Sequence, residues 1–148
     1  MRLPRRFLDE IIAHAREGRV QEAEICGVLL GRDSYPTELM RVHNVDPTPR
    51  VRYYMDPQGL FRVMQRMEQE GLDLVAIYHS HPHTQAYPSE TDRRNAHDDQ
   101  GNPLYPGTIY IICSLEHPVQ PIVRAFRLFP DRSEEEHIDV VDNEVEQS

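Results

Sequence analysis

The chain has 148 residues, the size of one domain and long enough to bury most of a core without disulfides. Hydrophobic residues make up 39% and charged residues 28%, which excludes a disordered or membrane-embedded composition, and no apolar run is long enough to cross a bilayer. The net charge of −9 sits mostly at one end: residues 131–148 hold eight acids against Arg132, leaving −2 for residues 1–130 and arguing against nucleic acid as the main partner.

The opening MRLPRRF is basic, but LDEIIAHARE follows with charges throughout. No secretory apolar segment is read there, so the expected compartment is cytoplasmic. RRFLDEIIAHAREG carries Phe7, Leu8, Ile11, Ile12 and Ala15 at helical spacing, and the helix is predicted to end at Gly18. EICGVLLGR (24–32) is too short and too apolar for a typical helix and is predicted as a central strand. TELMRVHNV follows the turn DSYP as its antiparallel partner, and VRYYM (51–55) is a further short strand.

Asp56 followed by Pro57 marks a helix start, with Leu60, Val63, Met64 and Met67 as its buried stripe and Gly71 as its close. DLVAIYHSH (73–81) is a strand, Ser89 opens a short helix through about Ala96, and DDQGNPLYPG is a turn-rich connection. TIYIICSL and PIVRAFRLF are two strands linked by EHPVQ. The fold class is therefore α/β: a single-domain mixed sheet flanked by helices. Cys26 and Cys113 lie in strand-like stretches and are expected as small buried hydrophobes, too few for an all-cysteine zinc module. Every basic residue is arginine, so no lysine side chain is offered for covalent modification.

The segment IYHSHPHTQAYPSETD (77–92) concentrates the chemistry. Side chains alternate on a strand, so His79 and His81 share a face, about 6 to 7 Å apart along the backbone. Asp92 can add an oxygen ligand if the loop bounded by Pro82 and Pro88 folds back over the strand end. Three protein ligands with one open position are the pattern of a catalytic zinc. Each part also has a plainer explanation. His-x-His can be a polar strand end, and SETD is a capping box in which Asp92 serves Ser89. The other histidines (14, 43, 83, 97, 117 and 137) lack such spacing and are expected in solvent, with His83 near enough to touch a substrate. A hydrolytic site also needs a carboxylate base, and Glu24, standing directly before an apolar strand, is the candidate, with Glu22 as its competitor.

Glu24 with ICG, then His79-Ser80-His81-Pro82, six residues, Ser89, two residues and Asp92, resembles the JAMM (MPN-plus) metalloprotease family, every position of whose signature is met. The similarity extends through YYMDPQGLFRVMQRME, YIICSL and AFRL toward the small bacterial branch, which includes hydrolases releasing cysteine from a ubiquitin-like sulfur-carrier protein. The resemblance implies a JAMM/MPN fold similar to cytidine deaminases over residues 1–130; the charge pattern sets off 131–148 as an acidic C-terminal tail, expected as a terminal strand and then disordered, solvated chain. The resemblance also implies that His79, His81 and Asp92 bind one Zn²⁺ with a water, that Glu24 is the base and then the acid, and that Ser89 donates to the oxyanion. Ser80 is expected to hold the strand end in place. The deaminase signature H-x-E with P-C-x-x-C is absent, which excludes base deamination.

The resemblance further implies a partner with a Gly-Gly-like C-terminal tail, a ubiquitin-like or sulfur-carrier protein, added as a strand beside an exposed edge. Neither nucleic acid nor membrane is expected as a partner. Insertions that read one polyubiquitin linkage have no room in this length. Release of cysteine in a biosynthetic pathway is the leading expectation. Removal of a modifier from target lysines is the alternative, and a non-catalytic MPN interaction scaffold is the competing class.

Overall fold

The structure, a computed structural model, describes residues 1–144. A short strand β1 (Arg2–Pro4) leads into helix α1 (Arg5–Val20). Its buried positions Phe7, Ile11, Ala15 and Gly18 recur every three or four residues, so one stripe faces the sheet. The helix runs two residues beyond Gly18, where it was expected to stop. That glycine serves close packing: a Cβ there would lie 2.5 Å from Ile25 Cγ2.

Strands β2 (Cys26–Arg32) and β3 (Tyr35–Val42) form the expected antiparallel pair. The turn between them is shorter than DSYP. Asp33 and Ser34 alone make it, both at positive φ (53° and 62°), as a two-residue hairpin turn requires. Tyr35 and Pro36 therefore belong to the strand, and proline is tolerated because β3 is an edge.

VRYYM does not form the predicted strand. Asn44 takes the backbone groups that a ladder would have used: its Oδ1 accepts from the amides of Asp46 (3.0 Å) and Tyr54 (2.9 Å). Its Nδ2 donates to the carbonyls of Glu24 (2.9 Å) and Arg52 (3.0 Å). Met55 is left with one isolated bridge, to Asn44. The segment is a pinned loop lying against the start of β2.

Helix α2 (Pro57–Glu70) begins as its sequence dictates, with Asp56 accepting from the Gln58 amide and Pro57 in the first turn, and closes at Gly71 in the left-handed region. Its contact ridge is rotated from the expected one. Gly59 and Val63 are buried, whereas Met64 is 52% exposed, because the small Gly59 lets the helix settle against Val42.

Strand β4 (Asp73–His81) lies between β2, to which it is antiparallel, and β5 (Ile109–Ser114), to which it is parallel. Strands β6 (Ile122–Leu128) and β7 (Ser133–Glu136) complete a six-stranded sheet in the order β3-β2-β4-β5-β6-β7. Both cysteines are free and buried, as expected. Along β4, Ala76 and Tyr78 face the core under α1, while Ile77 faces the core under α2. His79 and His81 continue the Ile77 face to the carboxyl end of the strand, next to the short helix α3 (Glu90–Asn95).

The expectation that His14 is solvated is corrected. His14 is half-buried on α1, with Nδ1 2.8 Å from the hydroxyl of the fully buried Tyr78. Burial pushes its pKa down to about 4, so the ring is neutral near pH 7 and hydrogen-bonded to the tyrosine hydroxyl. The acidic end is also ordered as far as Glu144. Glu134–Glu136 lie in β7, and β8 (Asp139–Val141) pairs in parallel with β1. Arginines of β6 and α1 meet these acids: Arg124 binds Glu135 (2.6 Å), and Arg6 binds Glu144 (2.7 Å). Residues 145–148 of the expected tail lie outside the described ones.

Candidate metal centre

The carboxyl end of β4 brings Glu24, distant in the chain, together with His79, His81 and Asp92. All four are buried, and their nearest ligand atoms lie within 4.8 Å of one another. Each arrives by a local device. Strand alternation aims His79 and His81 to one side. The capping box of α3 fixes Asp92: Ser89 Oγ accepts from the Asp92 amide, and Asp92 Oδ2 accepts from the Ser89 amide, both at 2.9 Å. The cap and the ligand explanations therefore describe the same aspartate. Glu24 is held by its backbone, whose N–H donates to Pro49 O (2.7 Å) and whose carbonyl accepts from Asn44. Ser80, on the opposite face, accepts the Ile25 amide at its Oγ (2.9 Å), tying β4 to the residue after Glu24.

Three atoms form the centre of this cluster. His79 Nε2, His81 Nε2 and Asp92 Oδ2 stand 3.2 Å from one another along all three edges. A tetrahedral ion with ligand bonds of about 2.0 Å has edges of about 3.3 Å between ligand atoms. The triangle is thus one face of such a tetrahedron. The tautomers agree: His81 Nδ1 lies 2.8 Å from the Gln85 carbonyl, which only accepts, so Nδ1 carries the proton and Nε2 turns a lone pair inward. His79 Nδ1 and Glu24 Oε1 are buried without any partner. An orphaned carboxylate oxygen is costly in a folded interior, and a cation at the triangle offsets that cost for Glu24, whereas His79 presents Nε2 and not its orphaned Nδ1 to the triangle. The donor set fits a divalent metal ion.

The electrostatics follow from burial and proximity. Burial pushes the Glu24 carboxyl up to about 8, only partly opposed by His81. Burial would also raise Asp92, but His79 and His81 outweigh it and hold that carboxyl well below the usual range. Burial lowers His79, against the pull of Asp92.

Glu22, the competitor for the base, is exposed and hydrogen-bonded to His83, outside the cluster. A cavity of about 310 Å³ lies beside the triangle and is lined by Glu24, His81 and Ser89 among others. Ser89 is exposed there, and since its oxygen accepts the Asp92 amide, its O–H remains available to donate. Residue-pattern reasoning missed Tyr53, whose ring stacks on His79 at 4.4 Å between centroids and 25° between planes. It also missed Arg50 at the cavity. Both belong to the pinned loop 43–56, whose path nothing in the local sequence announces.

The family described as prokaryotic homologs of the JAB domain matches residues 4–129. A desampylase from Haloferax volcanii is 41% identical over 111 residues, covering 72% of this chain and 74% of that protein. A CysO-cysteine peptidase from Mycobacterium tuberculosis is 31% identical over 138 residues, covering 92% and 88%. A solved structure of a Desulfitobacterium hafniense protein superposes with a TM-score of 0.79 at 30% identity, covering 96% of this chain and 93% of that one. Matched over residues 4–129, and carrying the six-stranded sheet and the buried donor cluster described above, the chain belongs to the prokaryotic JAB-domain family.

Proposed function

We propose that this protein is a zinc-dependent hydrolase that cleaves the amide bond at the C-terminus of a ubiquitin-like or sulfur-carrier protein, releasing cysteine from a carrier–cysteine adduct. The observation that carries the reading is the 3.2 Å triangle of two imidazole nitrogens and a carboxylate oxygen with an unpartnered Glu24 beside it. Two nitrogens and one oxygen at tetrahedral spacing suit zinc, and three protein ligands leave one position open. A zinc ion held by His79, His81 and Asp92 supplies Lewis acidity, polarising the scissile carbonyl and making water acidic near neutral pH.

The chain's own groups then do the proton work. Glu24 takes a proton from the attacking water and passes it to the departing amine as the C–N bond breaks. The carrier keeps a new carboxylate and cysteine leaves with a free amino group. Ser89 O–H donates to the oxyanion that develops on the carbonyl, an interaction worth roughly 10²–10³ in rate where such donors have been removed. Burial raises the affinity of the Glu24 carboxylate for a proton, which suits a group that takes one from water and returns it to the departing amine.

The CysO-cysteine peptidase relative, similar over nearly the whole chain, supports release of cysteine. The desampylase relative, at 41% identity, favours a second reading in which the leaving amine is a target lysine of a conjugated protein. Mass spectrometry of a carrier bearing C-terminal cysteine, before and after incubation, separates them. Loss of one cysteine residue is expected, and an unchanged mass rejects cysteine release.

A further inference from the structure

Glu24 and Ser89 line the cavity beside the triangle together with Arg50, Val51 and Pro82. Arg50 is exposed and, among the described residues, has no hydrogen-bond or ion-pair partner. Among the described residues, nine arginines pair with a carboxylate; Arg50 does not, and it lines the cavity beside Glu24, His81 and Ser89.

Arg50 is also held in place. The carbonyl of the preceding residue, Pro49, accepts the amide of Glu24 at 2.7 Å, so Arg50 is one residue from a backbone bond to the proposed base. Val51 and Arg52 donate to the Thr48 carbonyl, and Thr48 in turn donates to Asp46 Oδ1, so the turn carrying Arg50 is braced from both sides. Glu22 is the nearby anion, and its carboxylate is occupied by His83. A planar guanidinium on a braced loop is the group best suited to grip a carboxylate by two parallel bonds. The cavity volume of about 310 Å³ lies at the small end of ligand pockets, room for an amino acid and not for a folded protein.

Resting on the hydrolase reading above, we infer that Arg50 determines specificity by binding the free α-carboxylate of the amino acid that departs from the carrier. The site would then act as an exopeptidase on a C-terminal residue, with Val51 and Pro82 beside the departing side chain. A lysine inside a target protein has no such carboxylate, so this contact discriminates between the two classes of leaving group.

The test uses the zinc-loaded protein and a ubiquitin-like protein extended by Gly-Gly-Cys, ending either in the free carboxylate or in a carboxamide. The wild-type protein is expected to favour the acid over the amide by roughly 10- to 100-fold in kcat/KM, the weight of a charge-assisted pair. Arg50→Gln should collapse that ratio to about one, and Arg50→Lys should restore part of it. Calorimetric titration with S-methylcysteine and with its amide gives a second readout that needs no turnover. Binding should depend on the carboxylate in the wild type and lose that dependence in Arg50→Gln. A wild-type ratio near one, or a ratio unchanged by Arg50→Gln, overturns the inference. If the carboxylate-dependent binding is seen but neither substrate is cut, the subsite stands and the hydrolase reading fails.

Discussion

The protein keeps its carboxylates in two contrasting ways. At the C-terminal end, the acids of β7 and beyond are exposed, and several meet an arginine: Glu135 with Arg124, Glu136 with Arg127, Asp142 with Arg5, Glu144 with Arg6. At the end of β4, Glu24 and Asp92 are 5% and 7% exposed and have no arginine at all. Exposed pairs of the first kind contribute little each, because water already solvates both partners and salt screens them. Buried carboxylates of the second kind are expensive unless a cation is supplied. The difference teaches that the described acids of the tail find cations within the chain, whereas the donors of the β4 cluster are gathered where they could hold a metal ion.

Removing the charge-bearing ligand should break the contrast most severely. Asp92→Ala deletes one corner of the triangle and the acceptor for the Ser89 amide. It is expected to abolish stoichiometric zinc by elemental analysis and turnover with it, while loss of the cap lowers stability by about 1 kcal/mol in a denaturation experiment. Retention of one zinc per chain would remove Asp92 from the ligand set. Glu24→Gln should separate binding from chemistry, keeping zinc but lowering kcat by roughly 10²–10⁴. Full activity in that variant would hand the base role to Glu22 or another group.

The same substitution sharpens the contrast through pH. The folded pKa of Glu24, about 8, lies above its ordinary value of 4.5, so the folded state holds that proton more tightly. Its contribution to stability is therefore complete below about pH 4.5 and is lost as pH rises through 8. Asp92, shifted the other way, stays ionised over that window and does not vary. Metal-free wild type should lose about 4 kcal/mol relative to Glu24→Gln between pH 5 and 9. Parallel thermal melts across that range would refute the burial argument. The smallest effect belongs to the tail. Arg124→Gln should cost less than about 1 kcal/mol, and that cost should shrink further in high salt.

How much of this was legible in the chain depends on the range of the forces involved. Helix α2 announces itself because its signals are local: Asp56 and Pro57 at the start, Gly71 at the end. Its contact face was misjudged at Met64 because the rotation depends on Gly59 meeting Val42, a partner on another element. His79, His81, Ser89 and Asp92 were legible because alternation and the capping box act within a few residues. VRYYM has strand composition, yet Asn44 diverts its backbone into a loop, and that competition is invisible to composition. Composition could not show that Asp142 and Glu144 meet Arg5 and Arg6, because those partners lie on α1, 137 and 138 residues away in sequence.

By itself, the sequence determined the α/β class, the main helices and the spacing of His79, His81, Ser89 and Asp92, since side-chain periodicity and capping are short-range properties of the backbone. Only the tertiary structure decided that Glu24, and not Glu22, reaches the cluster, that Tyr53 covers His79, and that Arg50 stands unpaired at the cavity. Those placements come from contacts between segments distant in the chain, where packing and the satisfaction of buried polar groups select one arrangement.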